Sequence, residues 1–484
     1  MNVFASFLQY EKENKLYDKE VFGFKYWEYV RFVIYTEVKI RVEQLSELLA
    51  VPNLTWKNYR FNLKELNKYL GLSKIKKCDL LFISHPRRIN QNGKYENIYT
   101  DEVEKYLSNK YICLTFEEPC WNSYVSSDRG HLFPTITENI RYTDILELSY
   151  LLKKKIYKIF NKNKIKLIEK EVIDILQALN NEYNVDIMYL KDRIVNSIIY
   201  GLLMKQNYFK ILKKTNPKAV LINYWPTDFK TLVMDICNDL EIPTIELQHG
   251  TITFDDPIEH KCYDNNICKN VSDYFFSFGK VHTDANYLTT KPACLKEVGY
   301  PFLEKKVKEK YKLPIGLKKN KKYILIISQT IIGEEMSEFA SGLADLLMDN
   351  DEYRIIFKFH PNEVDRNYPN LEKKNIIQIK QKGEEIYKYQ KFSYLQVGVY
   401  STAIYEGLAF GIPTFILKGK SGSKESEKLL SYMKKGVYFV NDEKELYDSI
   451  QDKLTCPLKS DIDKLWRQNS LKNIEQELEN LLKK

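Results

Sequence analysis

Short apolar segments that end in turn residues recur along this chain from residue 78 onward. Their hydrophobicity is continuous rather than alternating, which is typical of parallel strands covered on both faces. A first series predicts strands at 78–86, 111–119, 219–225, 242–250 and 273–279. A second series predicts strands at 322–330, 354–361, 375–380, 393–401, 412–418 and 436–442. The segments between the strands of the second series carry helical periodicity, so strands and helices alternate.

This alternation predicts an α/β fold with two Rossmann-like, doubly wound domains that face a cleft, together with N-terminal and inserted helices. A basic stretch with Gly299, Pro301, Pro314 and Gly316 breaks the pattern and marks the boundary between the two domains. A Lys-, Leu- and Ile-rich stretch at about 140–215 has helical periodicity and no strong strand, which predicts an inserted helical subdomain. The predicted parts are a helical segment at 1–75, a first Rossmann-like domain at 76–305, a second at 306–445 and C-terminal helices at 446–484. We expect the last helices to pack back across the first domain.

A predicted helix at 22–45 is dense in aromatic residues, among them Trp27, Tyr29, Phe32 and Tyr35. Two interpretations are open for this helix. It packs its aromatic face on the body of its own protein, or it presents that face to a membrane surface or a partner. The first is the commoner use of such a face, and we favour it.

The composition is that of an ordinary globular protein. Of 484 residues, 44% are hydrophobic and 29% are charged, so we expect a sizeable core and no general disorder. The net charge of +9 is spread over runs such as Lys153–Lys155, Lys162–Lys166 and Lys318–Lys322, much of which we interpret as solvated helix surface. Such charge suits an anionic substrate or a membrane surface. No nucleic-acid module is recognisable, so no nucleic-acid partner is predicted.

The N-terminal segment and the cysteines bear on the compartment. The N-terminus lacks the basic start and uninterrupted apolar stretch of a signal peptide, and no apolar run approaches the length of a membrane span. The eight cysteines show no CxxC spacing and no close Cys/His cluster, which predicts reduced thiols without structural zinc. We therefore expect a cytoplasmic protein, with a position at the inner face of the membrane as an open option.

Two motifs in the second series place polar side chains directly after buried strands. His360 ends a strand before Pro361, which stops the strand, so the imidazole is expected at the carboxyl edge of the sheet. Ser401 and Thr402 follow a later strand and open a short helix that ends at Gly411. The unpaired amides and positive dipole end of such a helix favour a phosphate, which predicts a nucleotide or a nucleotide-activated sugar as ligand. The alternatives are a histidine that satisfies a loop carbonyl and hydroxyls that only cap the helix.

In the first series, His249 ends a strand and precedes Gly250, which permits a sharp turn and close approach of a ligand. Transfer of an activated group to a hydroxyl requires that the hydroxyl lose its proton, and histidine is a suitable general base. His249 is therefore the candidate catalytic residue, with Gln248 and Thr251 as neighbours that contact the acceptor. The alternative is a histidine that only anchors its own loop. Alternative carboxylate bases lie in the following loop: Asp255, Asp256 and Glu259.

A third polar cluster, SHPRR at 84–88, follows the first predicted strand. His85 and Arg87, with Arg88 beside them, are predicted to hold an anionic acceptor, because arginine binds carboxylate and phosphate through a bidentate fork. A surface loop with ordinary charges is the alternative interpretation, and the sequence favours neither.

No phosphate-binding loop of the form GxxxxGK[ST] is present, which argues against a P-loop kinase or ATPase. The two Asp-x-Asp triplets, at 349–351 and 461–463, follow no strand, and we interpret both as solvated helix ends. The prediction is a site without a metal, in which helix amides and polar side chains stabilise the charge of the leaving group.

Four motifs in this order resemble those of bacterial surface-polysaccharide glycosyltransferases of the GT-B architecture: LQHGT at 247–251, VGYP at 298–301, KFHP at 358–361 and YSTAIYEGLAFGIPTF at 400–415. The resemblance covers roughly residues 210–445. It extends to capsule and lipopolysaccharide enzymes, to sialyl- and Kdo-transferases with an HP motif, and to the CDP-glycerol glycerophosphotransferases. It implies that the first Rossmann-like domain binds the acceptor and the second binds the donor. The donor residues that it implies are His360, Pro361, Ser401, Thr402 and, at the ribose, Glu406.

The resemblance implies a glycosyltransferase of bacterial surface-polysaccharide biosynthesis. Its partners are a nucleotide-sugar donor, with a CMP-linked sugar as one option, and a glycan or lipid-linked acceptor; peripheral membrane contact is left open. No cofactor besides the donor is expected. Three alternatives remain: a CDP-glycerol-type glycerophosphotransferase, a non-catalytic nucleotide-sugar-binding assembly protein, and a non-hydrolysing sugar-nucleotide 2-epimerase.

Overall fold

Two parallel β-sheets form the framework of the protein. The computed structural model describes residues 2–43, 68, 75–84, 88–91, 93–118, 137, 139–223, 226–250, 258, 260–264, 267–284, 294–361, 363–380, 386–420 and 423–483. Its strands are β1 (Glu20–Val21), β2 (Phe24–Lys25), β3 (Leu80–Ile83), β4 (Arg88–Gln91), β5 (Lys94–Asn97), β6 (Cys113–Glu117), β7 (Ile140–Tyr142), β8 (Ala219–Ile222), β9 (Thr244–Leu247), β10 (Tyr274–Ser277), β11 (Leu295–Glu297), β12 (Lys322–Ile327), β13 (Tyr353–Lys358), β14 (Ile376–Ile379), β15 (Leu395–Gly398), β16 (Thr414–Leu417) and β17 (Val437–Val440).

The helices surround these strands. In chain order they are α1 (Val3–Glu13), α2 (Trp27–Val42), α3 (Asp101–Leu107), α4 (Asp144–Phe160), α5 (Lys162–Tyr183), α6 (Lys191–Thr215), α7 (Asp228–Asp239), α8 (Lys280–Thr283), α9 (Pro301–Lys308), α10 (Gly333–Leu346), α11 (Ile386–Phe392), α12 (Thr402–Ala409), α13 (Ser423–Leu430), α14 (Glu443–Gln451), α15 (Lys459–Leu465) and α16 (Ser470–Leu482). No helix of the described residues is both long and apolar enough to cross a bilayer.

The two large sheets share one topology. The first has the order β11-β10-β9-β8-β3-β6-β7 and the second has the order β14-β13-β12-β15-β16-β17. Neighbouring strands are parallel in both, for example β3 with β8 and β12 with β15. In the first sheet the strand order reverses between β3 and β8, and in the second it reverses between β12 and β15. Such a switch point is where doubly wound sheets bind ligands. The predicted α/β fold with two Rossmann-like, doubly wound sheets is confirmed.

Each of the predicted strands overlaps an observed one, but some short strands were missed. The edge strands β7 and β11 have three residues each, and the hairpin of β4 and β5 precedes α3. The stretch at about 140–215, predicted to be helical with no strong strand, therefore begins with a short strand, Ile140–Tyr142, which pairs with β6. These strands carry one or two apolar residues apiece, too few to produce a signal in the sequence.

Both faces of each sheet are buried, which explains the continuous hydrophobicity of the strands. In β3, Leu81 and Ile83 face the core shared with the helices of the N-terminal half. Leu80 and Phe82 face the opposite side, where they pack with Leu478 of α16. The C-terminal helix thus closes the second face of the first sheet, as expected from the sequence.

The aromatic helix α2 packs into the protein. Trp27 is 1% exposed and Tyr35 is 2% exposed, and both belong to the core of the N-terminal half. Arg31 on the same helix forms a buried ion pair with Glu11, at 2.8 Å between Nε and Oε1. The interpretation that this helix contacts its own protein is confirmed, so its aromatic face is not available to a membrane.

An aromatic core joins the two halves of the chain. Phe278 stacks on Tyr300 with ring centroids 4.5 Å apart, and Trp466 lies 5.2 Å from Phe278. The indole Nε1 of Trp466 donates a hydrogen bond of 2.9 Å to the carbonyl of Tyr405 on α12. His282 is fully buried against Phe278 and Trp466 in the same core. We call Phe278, His282, Tyr300 and Trp466 the interlobe aromatic core.

The cysteines differ from the expectation in one respect. Cys262 and Cys268 are paired as a disulfide, with Cα atoms 6.4 Å apart, so the prediction of eight reduced thiols is wrong for this pair. Their separation of six residues has no sequence signature. Cys78, Cys113 and Cys237 are buried free thiols.

The interlobe aromatic core makes stability sensitive to acid. Burial lowers the pKa of His282 to about 3, whereas an unfolded histidine titrates near 6.5. As the pH falls from 7.5 to 5, the unfolded chain binds a proton that the folded one excludes, which costs about 2 kcal/mol of unfolding free energy. We expect His282→Gln to lose less unfolding free energy than the wild type over this pH range, by about 2 kcal/mol, as measured by urea unfolding. Equal losses in variant and wild type would contradict the low pKa of folded His282. Because the test compares how the unfolding free energy changes with pH, it does not depend on the absolute stability of the variant.

Candidate functional site

The switch point of the second sheet gathers three polar residues at one edge. Thr330 follows β12, His360 follows β13 and Ser401 follows β15, so all three lie beyond the carboxyl ends of adjacent strands. The Thr330 hydroxyl and His360 Nδ1 are 3.1 Å apart, within hydrogen-bond distance. His360 and Ser401 are half-buried, which leaves part of each side chain accessible. We call Thr330, His360 and Ser401 the switch-point cluster.

A buried carboxylate holds the His360 loop in place. Glu363 is fully buried, its Oε2 accepts a hydrogen bond of 3.0 Å from the His360 backbone N–H, and its own N–H donates to the His360 carbonyl at 2.8 Å. The Tyr368 hydroxyl donates to Oε1 at 2.9 Å. A Cβ atom at Gly333, the first residue of α10, would overlap Glu363 Oε1, so the glycine is required for this close packing. The backbone on which the histidine stands is therefore fixed by several interactions.

The start of α12 is capped by Ser401 and is partly exposed. The Ser401 hydroxyl accepts from the Ala403 N–H at 3.3 Å, and the Ile404 N–H donates to the Ser401 carbonyl at 2.9 Å. Ser401, Thr402 and Ala403 are all half-buried, so the helix terminus is reachable from solvent. The capping role that the sequence left open is thus used, and an anion at this end competes with the serine oxygen for the first amides.

Glu406 and Pro361 complete the predicted donor set. Glu406 lies one turn beyond Thr402 on α12, is 7% exposed, and accepts a hydrogen bond of 3.1 Å from the Tyr387 hydroxyl. Pro361 directly follows His360 and is exposed. The helix itself sits close to β15, because Gly407 leaves no room for a Cβ atom beside the Gln396 side chain.

The first sheet presents His249 beside a buried carboxylate. His249 follows β9, and its Nδ1 lies 4.0 Å from Oε1 of Glu246, with the histidine side chain 18% exposed and the glutamate 3%. His260 approaches the other carboxylate oxygen of Glu246 at 3.5 Å. Burial lowers the pKa of His260 to about 4, so His260 is neutral at pH 7 and does not compensate the carboxylate. Of the two histidines, His249 is the one with more access to solvent.

Further charged residues lie buried at the same edge. Lys230 on α7 is fully buried, and its Nζ donates to the Asn223 carbonyl at 2.7 Å and lies 3.7 Å from Oε1 of Glu118. Burial lowers the pKa of Lys230, and the carboxylates of Glu118 and Glu246 oppose that shift only in part. Burial likewise raises the pKa of Glu118. We call Glu118, Lys230, Glu246, His249 and His260 the His249 cluster.

The predicted acceptor residues have different outcomes. The Gln248 side chain is 3% exposed, with its Oε1 accepting from the Phe278 N–H at 2.8 Å and its Nε2 donating to the Gly250 carbonyl at 2.6 Å. These contacts tie the end of β9 to the end of β10. The other predicted acceptor residues lie outside the described residues: His85, Arg87 and Thr251. The three carboxylates named as alternative bases also lie outside them: Asp255, Asp256 and Glu259.

Aromatic side chains connect the two clusters. The ring of Tyr99 meets His249 edge-on with centroids 6.4 Å apart, and stacks on Tyr300 at 5.9 Å. Tyr300 belongs to the interlobe aromatic core, and Trp466 of that core is hydrogen-bonded to Tyr405, four residues beyond Ser401. A continuous set of packed rings thus runs from the candidate base to the helix of the switch-point cluster.

No group of three or more metal-ligating side chains close enough to hold an ion occurs in the part of the chain that the structure describes. The Asp-x-Asp triplets differ from one another. Asp351 is exposed, next to Lys321 and Arg354, as predicted for a solvated helix end. Asp461 is buried and accepts from the Lys434 N–H at 2.9 Å, so its interpretation as solvated is wrong.

Sequence reasoning missed Glu118, Lys230, Glu246 and Thr330. For Glu246 a signal existed, because a carboxylate in the middle of a strand predicted to be buried on both faces needs a hydrogen-bond or charge partner. Thr330 follows the first strand of the second series, a position that the Rossmann topology marks. Lys230 looks like any surface lysine of a helix, and only the fold shows that it is buried.

No protein-family model matches the sequence, and no curated protein matches it. Solved structures of similar fold include the UDP-GlcNAc 2-epimerase of Methanocaldococcus jannaschii, at 12% identity and a TM-score of 0.49, over 83% of this chain and 99% of that one. The UDP-GlcNAc 2-epimerase of Neisseria meningitidis has 12% identity and a TM-score of 0.48, over 84% and 99% of the chains. The wall teichoic acid polymerase TagF has 10% identity and a TM-score of 0.45, over 85% and 90%. At these values the likeness supports no inference about substrate or reaction.

The buried pair of Lys230 and Glu118 has a measurable effect on stability. Lys230→Met leaves the Asn223 carbonyl and the Glu118 carboxylate buried without their cation, so we expect the free energy of unfolding to fall by about 3–5 kcal/mol. In a Glu118→Gln background the same substitution is expected to cost less, by about 1 kcal/mol or more. Urea unfolding of the four proteins measures the difference.

The matched control is Lys308→Met. Lys308 pairs with Glu304 at 2.6 Å, but its side chain is 67% exposed, so we expect a change within about 1 kcal/mol. Equal losses for Lys230→Met and Lys308→Met would show that the buried pair does not stabilise the fold.

Proposed function

We propose that the protein is a metal-independent GT-B glycosyltransferase that moves a sugar from a nucleotide-activated donor to a glycan or lipid-linked acceptor in bacterial surface-polysaccharide biosynthesis. The observation that carries the proposal is the switch-point cluster. A histidine, two hydroxyls and an accessible helix terminus lie at the place where a 3-2-1-4-5-6 sheet binds nucleotides. The motif order in the sequence supports the same assignment.

The donor phosphates fit the start of α12. The first amides of a helix carry the positive end of the helix dipole and stabilise negative charge, and here a phosphate would take the Ala403 amide from the Ser401 hydroxyl. His360 stands on a backbone fixed by Glu363 and adds a donor whose orientation is preset. Together these groups stabilise the charge that develops on the leaving nucleotide, which is the role an ion plays in metal-dependent transferases.

The His249 cluster fits activation of the acceptor. An acceptor hydroxyl must lose its proton as it attacks, and His249 is a base with solvent access beside the buried Glu246. A carboxylate at this distance stabilises the imidazolium that forms when the histidine takes the proton. The neutral His260 on the other side of Glu246 leaves that carboxylate's charge to act on His249.

A second candidate is transfer of a phospho-alditol from a CDP-alcohol. The His-Gly-Thr triplet at 249–251 favours it, because CDP-glycerol glycerophosphotransferases carry a comparable triplet. Both candidates use the same two clusters, and they differ in the bond that breaks. The glycosyltransferase cleaves the anomeric C–O bond, transfers the sugar and releases the nucleotide, whereas the glycerophosphotransferase cleaves a P–O bond of the CDP diphosphate, transfers glycerol phosphate and releases CMP. Product analysis with CMP-sugar and CDP-glycerol donors separates them, and turnover of donor alone would instead indicate an epimerase.

Nucleotide binding tests the switch-point cluster. In a thermal-shift series with CMP, CDP, UDP and GDP, we expect one nucleotide to raise the unfolding temperature by mass action. His360→Ala is expected to weaken its dissociation constant about tenfold or more, the effect of losing one hydrogen bond to a charged group. Ser401→Ala is expected to reduce the shift as well. The shift of each variant is measured from the unfolding temperature of that variant without nucleotide.

The matched control for the cap is Asp442→Ala. Asp442 caps α14, with its side chain accepting from the Glu445 N–H at 2.9 Å, and lies outside the switch-point cluster. Asp442→Ala should lower the unfolding temperature, as Ser401→Ala does, but keep the full temperature shift on nucleotide binding. If His360→Ala and Ser401→Ala both keep the wild-type shift, the donor does not bind at this edge.

Transfer tests the His249 cluster. We expect His249→Gln to lower the transfer rate by about 10²–10⁴-fold, the usual contribution of a general base, with the nucleotide shift unchanged. His260→Gln is the matched control, because His260 contacts the same carboxylate while buried and neutral, and it should retain most of the rate. Undiminished product formation by His249→Gln would remove this histidine from the mechanism.

A further inference from the structure

The corner between α4 and α5 exposes large apolar side chains on one stripe. Leu152, Ile156, Ile159 and Phe160 are exposed by 54%, 48%, 54% and 80%. Their spacing of four, seven and eight residues from Leu152 places them on one face of α4. The opposite face carries Tyr150, which is buried in the core of the N-terminal half. Helix α4 therefore has two apolar faces, and the described part of the chain covers only one of them.

The stripe is surrounded by positive charge. The segment 152–167 contains seven lysines and no acidic residue. Five of these lysines are exposed: Lys155, Lys158, Lys162, Lys164 and Lys166. None of the seven forms an ion pair with a carboxylate of the described residues. Solvated lysines on a polar helix face are ordinary, but a lysine rim around a contiguous apolar stripe is a property of interaction surfaces.

Two neighbouring residues extend the surface. Leu167 on α5 is 58% exposed. Phe22 is 47% exposed, and its ring lies 5.2 Å from the ammonium nitrogen of Lys164. We call Leu152, Ile156, Ile159 and Phe160 with the five exposed lysines the α4–α5 surface. It is distinct from the aromatic helix α2, which is buried.

We propose that the α4–α5 surface docks on an anionic phospholipid bilayer. The apolar stripe enters the boundary between headgroups and acyl chains, and the lysines extend along the headgroups with their ammonium groups on the lipid phosphates. This inference goes beyond the proposed function and is independent of it.

Charge decides between a membrane and a second copy of the chain. In a twofold pairing through this surface, each lysine rim would face another lysine rim, and like charges brought together oppose association. An anionic lipid surface instead complements every lysine of the rim. The same complementarity predicts that binding weakens with salt, because exposed charges are screened.

Cosedimentation of the full chain with vesicles tests the proposal. We expect binding to vesicles of phosphatidylcholine with phosphatidylglycerol, increasing with the phosphatidylglycerol fraction and decreasing with salt, and little binding to phosphatidylcholine alone. The double variant Ile156→Ser/Phe160→Ser should reduce partitioning tenfold or more. Lys155→Gln/Lys158→Gln should reduce it on anionic vesicles and lessen its dependence on salt.

The matched control is Ile315→Ser, since Ile315 is fully exposed and lies outside the α4–α5 surface. It should bind vesicles like the wild type. The unfolding temperature of every variant is measured in parallel, and because the substituted side chains are exposed we expect it to be unchanged.

Three results would overturn the proposal: no binding of the wild type to anionic vesicles, wild-type binding by the folded double variant, or equal binding to neutral and anionic vesicles. Self-association of the wild type in solution, abolished by Ile156→Ser/Phe160→Ser without any vesicle binding, would assign the surface to a second copy instead.

Discussion

The interlobe aromatic core is the constraint on which the rest of the structure depends. Two doubly wound sheets can each bury their own strands, but nothing in that packing fixes one sheet relative to the other. Phe278 comes from the carboxyl edge of the first sheet, and Trp466 comes from the C-terminal helices and is bonded to Tyr405 of the second half. Stacked, buried aromatic rings combine large apolar burial with directional contacts, so they define a specific arrangement of the lobes. Through Tyr99 and Tyr300 this arrangement extends to His249.

The two candidate half-sites share one design. Each places a partly accessible histidine after a strand and supports it with a buried glutamate. In the second sheet Glu363 holds the backbone of His360, and in the first Glu246 lies against the ring of His249. Burying a carboxylate is costly unless hydrogen bonds or charges compensate it. The second-sheet glutamate accepts hydrogen bonds from the His360 N–H and the Tyr368 hydroxyl, whereas the first-sheet glutamate accepts one from the Ser272 hydroxyl and lies against two histidines in the field of Lys230.

Much of this organisation could be predicted from the sequence, and the limits have physical causes. Eleven strands with continuous hydrophobicity indicated two parallel sheets, because strands buried on both faces need apolar residues on both. Strand ends followed by His, Ser or Thr indicated where polar groups would collect. The edge strands β7 and β11 escaped detection because they are short and carry only one or two apolar residues each, and the disulfide of Cys262 and Cys268 has no spacing signature.

The sequence by itself determined the fold class, the position of His249, His360 and Ser401 at strand ends, and the positive charge of α4 and α5, since all of these depend on local order along the chain. Tertiary structure alone decided that Lys230 and Glu118 are buried together, that Glu246 lies between two histidines, and that Trp466 joins the lobes. It also decided which apolar face of α4 is covered and which is left at the surface. Those properties depend on contacts between residues far apart in the chain, and no local pattern specifies such contacts.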